Sequence, residues 1–284
     1  MGITGLGSSL SLMGIRYGSG EAIKFTEDVE RTMAVIGYQE GYNLAVEKGM
    51  APIFYNDSNL ESWVNSKYMK KIWEQWPEGK ELVSEKGCRF THHTSIAPTG
   101  TISLSFGNNV SNGIEPSFSH AYTRNVILEG KKSKSAEKVY SYEGLVWKQK
   151  FGEDSIFPPY FVTTEEVTPK EHIDMQAAAQ KWCDSSISKT INVPTDIDYE
   201  EFQHIYLEAY KNGLKGCTTF RFNPEAFQGV LVKEKDLKNT LYEFVLEDGE
   251  IIEASGDQEI QYDGETHTAA NLFDAIKENY YGKF

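Results

Sequence analysis

The sequence is poor in cysteine and lacks long apolar runs. Its 284 residues include three cysteines, Cys88, Cys183 and Cys217, with no Cys-x-x-Cys pair. This excludes a disulfide framework and the usual structural zinc spacing, and predicts a reducing, cytoplasmic setting. The adjacent His92 and His93 are not expected to bind a metal, because neighbours on a strand point to opposite faces. No apolar run approaches the ~20 residues of a membrane-spanning helix, so no membrane contact is expected.

Basic residues are also scarce. The chain has 28 of them against 42 acidic residues, a formal net charge of −14. Because nucleic-acid surfaces need a basic stripe that displaces counterions, this balance argues against DNA or RNA as a partner. A hydrophobic content of 39% with 13% aromatic residues predicts a folded globular protein. A small phosphorylated ligand remains compatible, since local donors can hold it on an acidic protein.

The N-terminal residues Met1 to Gly7 have no basic n-region, so no secretory signal is expected. Their glycine-rich, apolar character is typical of the interior of a larger protein.

Hydrophobic spacing predicts an α/β protein in which helices alternate with short buried strands. Thr168 and Glu171 predict a capping box at the start of one helix. The region 87–116 has the pattern of strand and loop, and 131–138 is a basic run expected at the surface. Helices are predicted over 20–49, 60–76, 169–183 and 198–212, and strands over 119–128 and 214–221. The run 185–194 is predicted to be a hydroxyl-rich turn into a short strand that Pro194 closes.

The composition changes beyond Pro224. Asp248-Gly249 lies between two alternating runs and predicts a β-hairpin over 241–252. A terminal helix is predicted over 266–281. We therefore expect two domains, 1–225 and a small α+β tail over 226–284, which is near the lower size limit of independent folding.

The stretch from Ser95 to Pro116 carries the pattern that most suggests a ligand. Pro98 begins a turn, Gly100 leaves no side chain in the way of a ligand, and Thr99, Thr101 and Ser103 supply hydroxyl donors. If a helix follows, its free N–H groups complete an anion cradle. There is no Gly-Lys-Ser/Thr, so the turn is not a P-loop. On composition alone, an ordinary turn after a buried strand is the commoner explanation.

Several motifs in one order resemble the adenosylcobalamin-dependent, class II ribonucleotide reductases. With Gly5-Leu6-Gly7 and the run 13–17, they cover most of residues 1–225, and the tail run 262–272 resembles the ends of some members, phage-encoded ones among them. The motifs are HHTSIAPTGTIS at 92–103, NGIEP at 112–116, DSSISKTINVP at 184–194 and GCTTFR at 216–221.

The resemblance implies reduction of a ribonucleoside di- or triphosphate by a thiyl radical, with adenosylcobalamin as cofactor and a thiol reductant. Thr218 and Thr219 stand where class I enzymes carry paired tyrosines, which favours the cobalamin class. The implied fold is the second half of a ten-stranded α/β barrel with a small C-terminal β-hairpin and helix appendage. The implied substrate-phosphate residues are Pro98, Thr99, Gly100, Thr101, Ile102 and Ser103.

The chain also departs from the family. It has no Asn-Pro-Cys-Gly-Glu loop to carry the radical cysteine, no counterpart of the first half-barrel or allosteric region, and no Cys-x-x-Cys tail pair. Its three cysteines are expected to be small buried residues, so no catalytic residue is assigned. We expect a split enzyme whose separate N-terminal polypeptide supplies the radical cysteine, in the host cytoplasm if phage-encoded. An inactive nucleotide-binding or regulatory remnant is the alternative, and a structural protein that kept the fold is a third.

Overall fold

The computed structural model describes residues 1–127, 134–194, 196–221, 231–232, 241–245, 251–262, 265–270 and 272–273. The chain divides into two compact units. The first comprises Met1–Phe118 and Asp154–Arg221, and the second comprises Ser119–Glu153 and Phe222–Phe284. Residues 119–153 thus belong to the same unit as the C-terminal tail. The division into two domains, 1–225 and 226–284, stays a prediction.

The first unit is mainly helical and contains one small parallel sheet. Its helices are α1 (Leu6–Leu12), α2 (Gly20–Lys48), α3 (Asp57–Val64), α4 (Lys67–Gln75), α5 (Gly79–Lys86), α6 (Gly100–Ser105), α8 (Pro169–Gln180) and α9 (Tyr199–Lys211), with α7 (Tyr142–Phe151) in the second unit. The strands of the first unit are β3 (Thr190–Val193) and β4 (Thr218–Arg221).

Helix α2 is the long element on which the first unit packs. Its start is capped by the Ser19 hydroxyl, which accepts from the Ala22 N–H at 3.2 Å, and it ends at Gly49, whose φ of +83° suits glycine. This confirms the predicted helix over 20–49. Its buried face contains mostly small residues, which let a neighbouring helix approach, and α8 packs on it.

The single helix predicted over 60–76 is wrong. The chain forms two helices, α3 and α4, because the Ser66 hydroxyl accepts from the Met69 N–H at 3.3 Å and begins a new helix. Trp73 and Trp76 of this region are buried. They belong to a cluster with Tyr38, Phe54, Leu60, Val64, Met69, Ile72, Val83, Cys88 and Trp182.

The α/β class is confirmed by the order β3, α9, β4, in which the two strands pair in parallel with Thr190 opposite Thr218. Helix α8 begins with the predicted capping box of Thr168 and Glu171, and α9 is capped by Asp198. Ile191, Ile205 and Leu214 join strand and helix in a shared core. The described residues contain no closed barrel, so the half-barrel remains a proposal.

The second unit is built from antiparallel strands. In the described residues, β1 (Ala121–Ile127) pairs with β2 (Lys134–Tyr140) and β5 (Leu231–Val232), β6 (Leu241–Val245) pairs with β7 (Ile251–Ser255), and β8 (Glu259–Tyr262) pairs with β9 (Glu265–Thr268). The pairing predicted over 241–252 is confirmed, while its Asp248-Gly249 turn lies outside the described residues. The helix predicted over 266–281 is wrong at its start, because residues up to Thr268 belong to β9. Residues 274–281 of that prediction lie outside the described residues. Residues 131–133 of the predicted basic run also lie outside them.

None of the helices within the described ranges combines the length and apolarity that crossing a bilayer requires.

One side chain on α2 is costly for the fold. Glu30 is completely buried, and neither carboxylate oxygen has a hydrogen-bond partner among the described residues. Burial without a partner raises its pKa from 4.5 to about 7. The folded state therefore holds a proton that the unfolded state releases, so stability falls as the pH rises from 4.5 to 7.

We predict that Glu30→Gln abolishes this fall in stability with rising pH. Between pH 5 and pH 8 the free energy of unfolding should fall by about 2 to 3 kcal/mol more in the wild type than in the variant, because each pKa unit corresponds to about 1.4 kcal/mol. Urea titrations followed by tryptophan fluorescence at both pH values measure this. Glu40→Gln, an exposed carboxyl on the same helix, is the control and should keep the wild-type pH dependence. An unchanged dependence in Glu30→Gln contradicts the assignment.

Candidate functional site

The predicted phosphate turn forms the start of α6. Thr99 is left-handed, with φ 56° and ψ 20°, and Gly100 begins the helix. The first helical bond runs from the Ser103 N–H to the Thr99 carbonyl at 2.8 Å. The N–H groups of Gly100, Thr101 and Ile102 therefore have no carbonyl within the helix, nor a partner elsewhere in the described part of the chain.

The residues that carry these three N–H groups are exposed to solvent. Pro98, Gly100, Thr101 and Ile102 are exposed. A Cβ added at Gly100 would meet no atom within 4 Å. The turn can therefore accept a ligand at its backbone.

The Thr99 hydroxyl is used inside the protein. It accepts from the Gly113 N–H at 2.7 Å and lies 2.8 Å from the Thr4 hydroxyl oxygen. Since Thr4 donates to the Ser111 carbonyl at 3.2 Å, Thr99 donates its single hydrogen to Thr4. This hydroxyl holds three segments together and has no hydrogen left for a ligand.

Ser103 is also structural. Its side chain is buried, and its hydroxyl lies 2.6 Å from Asn112 Oδ1 and 2.9 Å from the Gly100 carbonyl oxygen, both acceptors. Of the three predicted hydroxyl donors, only that of Thr101 is both exposed and without a protein partner in the described residues. Which residues contact a phosphate stays a prediction.

Both ends of the stretch 96–115 are attached to the residues that lead into β3. At one end, the Ile96 N–H donates to the Ser186 carbonyl at 3.1 Å, and the Ser188 N–H donates to the Ile96 carbonyl at 2.8 Å. At the other end, Glu115 Oε1 accepts from the Thr190 N–H at 2.5 Å. The turn is therefore a loop closed on one short segment, 186–190.

A buried lysine completes the second attachment. Lys189 has a fully buried side chain, and its Nζ lies 2.6 Å from Glu115 Oε2. It also donates to the Thr190 carbonyl and to His172 Nδ1, the latter at 2.7 Å. Burial and the nearby ammonium lower the pKa of His172 to about 3, so its imidazole is neutral and accepts this bond. Burial lowers the pKa of Lys189, and Glu115 opposes that shift.

A second hub holds the residues just before the turn. Asp184 accepts from the Tyr38 hydroxyl at 2.7 Å and from the backbone N–H groups of His93 and Thr94 at 2.6 and 3.0 Å. Burial raises the pKa of this carboxyl, but these bonds outweigh burial and leave the pKa below its usual value. Sequence reasoning missed this role, although Asp184 opens one of the recognised motifs. An acidic residue directly before a hydroxyl-rich turn was the available signal.

The cysteines and histidines offer no reactive or metal centre in the described residues. Cys88 and Cys183 are buried, as predicted, whereas Cys217 is only half-buried, so the prediction is wrong for that residue. Burial raises the pKa of all three thiols. His93 packs on other core residues and His92 is exposed, and the described residues show no cluster of three metal-ligating side chains.

The chain was compared with known protein families and with curated proteins. Residues 1–220 match the family model described as the ribonucleotide reductase barrel domain. The vitamin B12-dependent ribonucleoside-diphosphate reductases of Mycobacterium tuberculosis and Thermoplasma acidophilum are 27% and 31% identical to this chain. These alignments cover 78% and 80% of this chain, but 31% and 28% of those proteins.

The name of a third relative does not mention vitamin B12. The ribonucleoside-diphosphate reductase subunit alpha of Mycoplasma pneumoniae is 26% identical, over 78% of this chain and 32% of that protein. The chain thus spans about three-tenths of the length of the curated relatives it matches.

The two threonines of the turn should differ in their effect on stability. We predict that Thr99→Val lowers the free energy of unfolding by about 1 to 2 kcal/mol, because the Gly113 N–H loses its acceptor. Thr101→Val should stay within about 0.5 kcal/mol of the wild type, since its exposed hydroxyl has no protein partner in the described residues. Urea denaturation measures both. Equal losses in the two variants contradict the different roles assigned to these hydroxyls.

Proposed function

Because the chain belongs to the ribonucleotide reductase barrel-domain family, we propose that it is part of a ribonucleotide reductase, which converts ribonucleotides to deoxyribonucleotides. Its turn at Pro98, Thr99, Gly100, Thr101, Ile102 and Ser103 holds the phosphates of a ribonucleoside di- or triphosphate. The observation that carries this proposal is the row of three N–H groups without a partner in the described residues, at the exposed Gly100, Thr101 and Ile102.

The chemistry of the turn suits a phosphate. Backbone N–H groups at a helix start point at an anion, and the aligned peptide dipoles favour negative charge there. The Thr101 hydroxyl adds a fourth donor at the rim. The stretch 95–116 contains a single charged residue, Glu115, and Lys189 pairs with it, so no free carboxylate of this stretch opposes the ligand.

Thr99 and Ser103 serve the same site indirectly. They lie on either side of the three N–H groups, and their hydroxyls hold the turn to Gly113 and Asn112. A turn whose shape is set before the ligand arrives loses less entropy on binding.

Adenosylcobalamin is the proposed cofactor, since relatives are named vitamin B12-dependent reductases. When bound it would supply the radical. A cavity of about 480 Å³ between α2, α4, α8 and α9 has a mixed lining, in which the apolar Ile23, Ala177 and Ala178 stand beside charged and polar side chains, those of Glu27, Lys71, Asp174, Gln180, Lys181 and Asn212. We therefore assign no cobalamin contact to a residue of this chain.

The radical cysteine is likewise proposed to come from outside these residues. The thiols of Cys88 and Cys183 are buried, and the half-buried Cys217 does not stand in an Asn-Pro-Cys-Gly-Glu sequence. We propose that a separate N-terminal polypeptide with Asn-Pro-Cys-Gly-Glu completes the enzyme, that a thiol reductant renews it, and that the assembly works in the cytoplasm.

Calorimetric titration with each of the four ribonucleoside diphosphates tests this function, first on the chain alone and then with a co-expressed polypeptide carrying Asn-Pro-Cys-Gly-Glu. Binding together with adenosylcobalamin-dependent reduction is the expected result. Binding without reduction in the co-expressed pair favours an inactive remnant. No binding in either preparation overturns the reductase proposal and favours a structural protein.

In this assay we predict that Thr101→Val weakens diphosphate binding about three- to tenfold, the range expected for one hydrogen bond of about 0.5 to 1.5 kcal/mol. Thr101→Ser keeps the hydroxyl and is the matched control, with affinity close to that of the wild type. Thr99→Val should also weaken binding, through the lost shape of the turn. If Thr101→Val and Thr99→Val both bind as the wild type does, the turn is not the phosphate site.

A further inference from the structure

We propose that Glu115 and Lys189 are positioning residues for the phosphate turn. Their ion pair sets the separation and direction of the turn's two ends, and thereby aligns the N–H groups of Gly100, Thr101 and Ile102. The ligand class, a diphosphate group, rests on the proposed function above. The positioning itself is a property of the chain without ligand.

Neither residue is free to contact a ligand with its charged atoms. The three donors of the Lys189 ammonium match three acceptors: Glu115 Oε2, His172 Nδ1 and the Thr190 carbonyl. The two carboxylate oxygens of Glu115 accept from the Lys189 Nζ and the Thr190 N–H. An effect of this pair on the ligand that depends on direct contacts therefore passes through the backbone of the turn.

The three residues before Glu115 form the route. The Ile114 carbonyl accepts from the Tyr17 hydroxyl at 2.6 Å, which holds the chain next to the pair. The Gly113 N–H donates to the Thr99 hydroxyl, and Asn112 Oδ1 accepts from the Ser103 hydroxyl. Thr99 and Ser103 flank the three unpaired N–H groups. A shift of Glu115 therefore moves both hydroxyl anchors of the helix start.

Backbone geometry makes this route stiff. Gly113 has a φ of +48°, and a Cβ there would lie 2.9 Å from the Ala97 carbonyl oxygen. The chain before Glu115 thus packs directly on the chain before Pro98. Such close contact transmits a displacement instead of absorbing it.

A different explanation is that the pair acts only through its charge. The two explanations predict different affinities for the single variants. Glu115→Gln leaves a positive charge near the site, and Lys189→Met leaves a negative one. Electrostatics alone predicts that pyrophosphate binds more tightly to the first variant and less tightly to the second. Positioning predicts that both variants bind less tightly.

The experiment uses the 284-residue chain and two readouts. Inorganic pyrophosphate is titrated by calorimetry, well below the melting temperature of each variant. Hydrogen exchange of peptides covering 96–113 is measured without ligand by mass spectrometry. We expect both single variants to bind pyrophosphate about tenfold more weakly and to exchange faster in these peptides, because without the pair the turn must be ordered again when the ligand binds.

Glu27→Gln is the matched control, because it breaks the 2.6 Å ion pair between Glu27 and Lys181 elsewhere in the first unit. It should leave both readouts at wild-type values. If Lys189→Met does not fold, the double variant with Glu115→Gln, which buries no unpaired charge, replaces it and is also expected to bind weakly and exchange faster.

Unchanged exchange in 96–113 overturns the positioning proposal, whatever the ligand does, and so does opposite movement of the two affinities. If the wild type binds no pyrophosphate, the phosphate-site assignment fails. Exchange alone then decides the positioning proposal, so the two failures are distinguishable.

Discussion

The ion pair between Glu115 and Lys189 is the interaction on which the candidate site depends. Removing a lysine fully from water is expensive, and the attraction of a single carboxylate repays that cost only when the remaining hydrogen bonds are also satisfied. Here the ammonium meets three acceptors supplied by the turn, by α8 and by the start of β3. The same contact that makes the charge tolerable therefore joins three segments distant in the chain.

Asp184 plays the corresponding part at the other side of the loop. It accepts hydrogen bonds from the Tyr38 hydroxyl of α2 and from the backbone N–H groups of His93 and Thr94, so the chain just before the turn is attached to the aromatic core. The two hubs lie at the ends of the short segment 184–190. Because that segment leads directly into β3, the parallel strand pair and the turn at 98–103 share one set of anchors.

At Glu30, burial is not offset by hydrogen bonds. Its carboxyl lies in the helical core without a partner in the described residues, and burial raises its pKa to about 7. Two buried carboxylates, Asp184 and Glu30, thus differ in ionisation solely because one is surrounded by donors and the other is not. Likewise, Thr99, Thr101 and Ser103 are chemically alike, yet only the hydroxyl of Thr101 remains available to a ligand.

The sequence by itself determined the family, the α/β class, helices α2, α8 and α9 and the location of the turn, because caps such as Thr168 and Asp198, glycine stops such as Gly49 and ordered motifs act over short distances. It did not reveal the break at Ser66 or the strand at 265–268, where a hydroxyl cap and a strand pairing outweighed apolar spacing. The tertiary structure alone decided which hydroxyls serve the fold, that Lys189 meets Glu115, and that Asp184 collects the N–H groups of 93–94. The reason is physical: a hydrogen-bond partner or a desolvated charge depends on residues that lie 14 to 91 positions away in these three pairs, and only folding brings them within 3 Å.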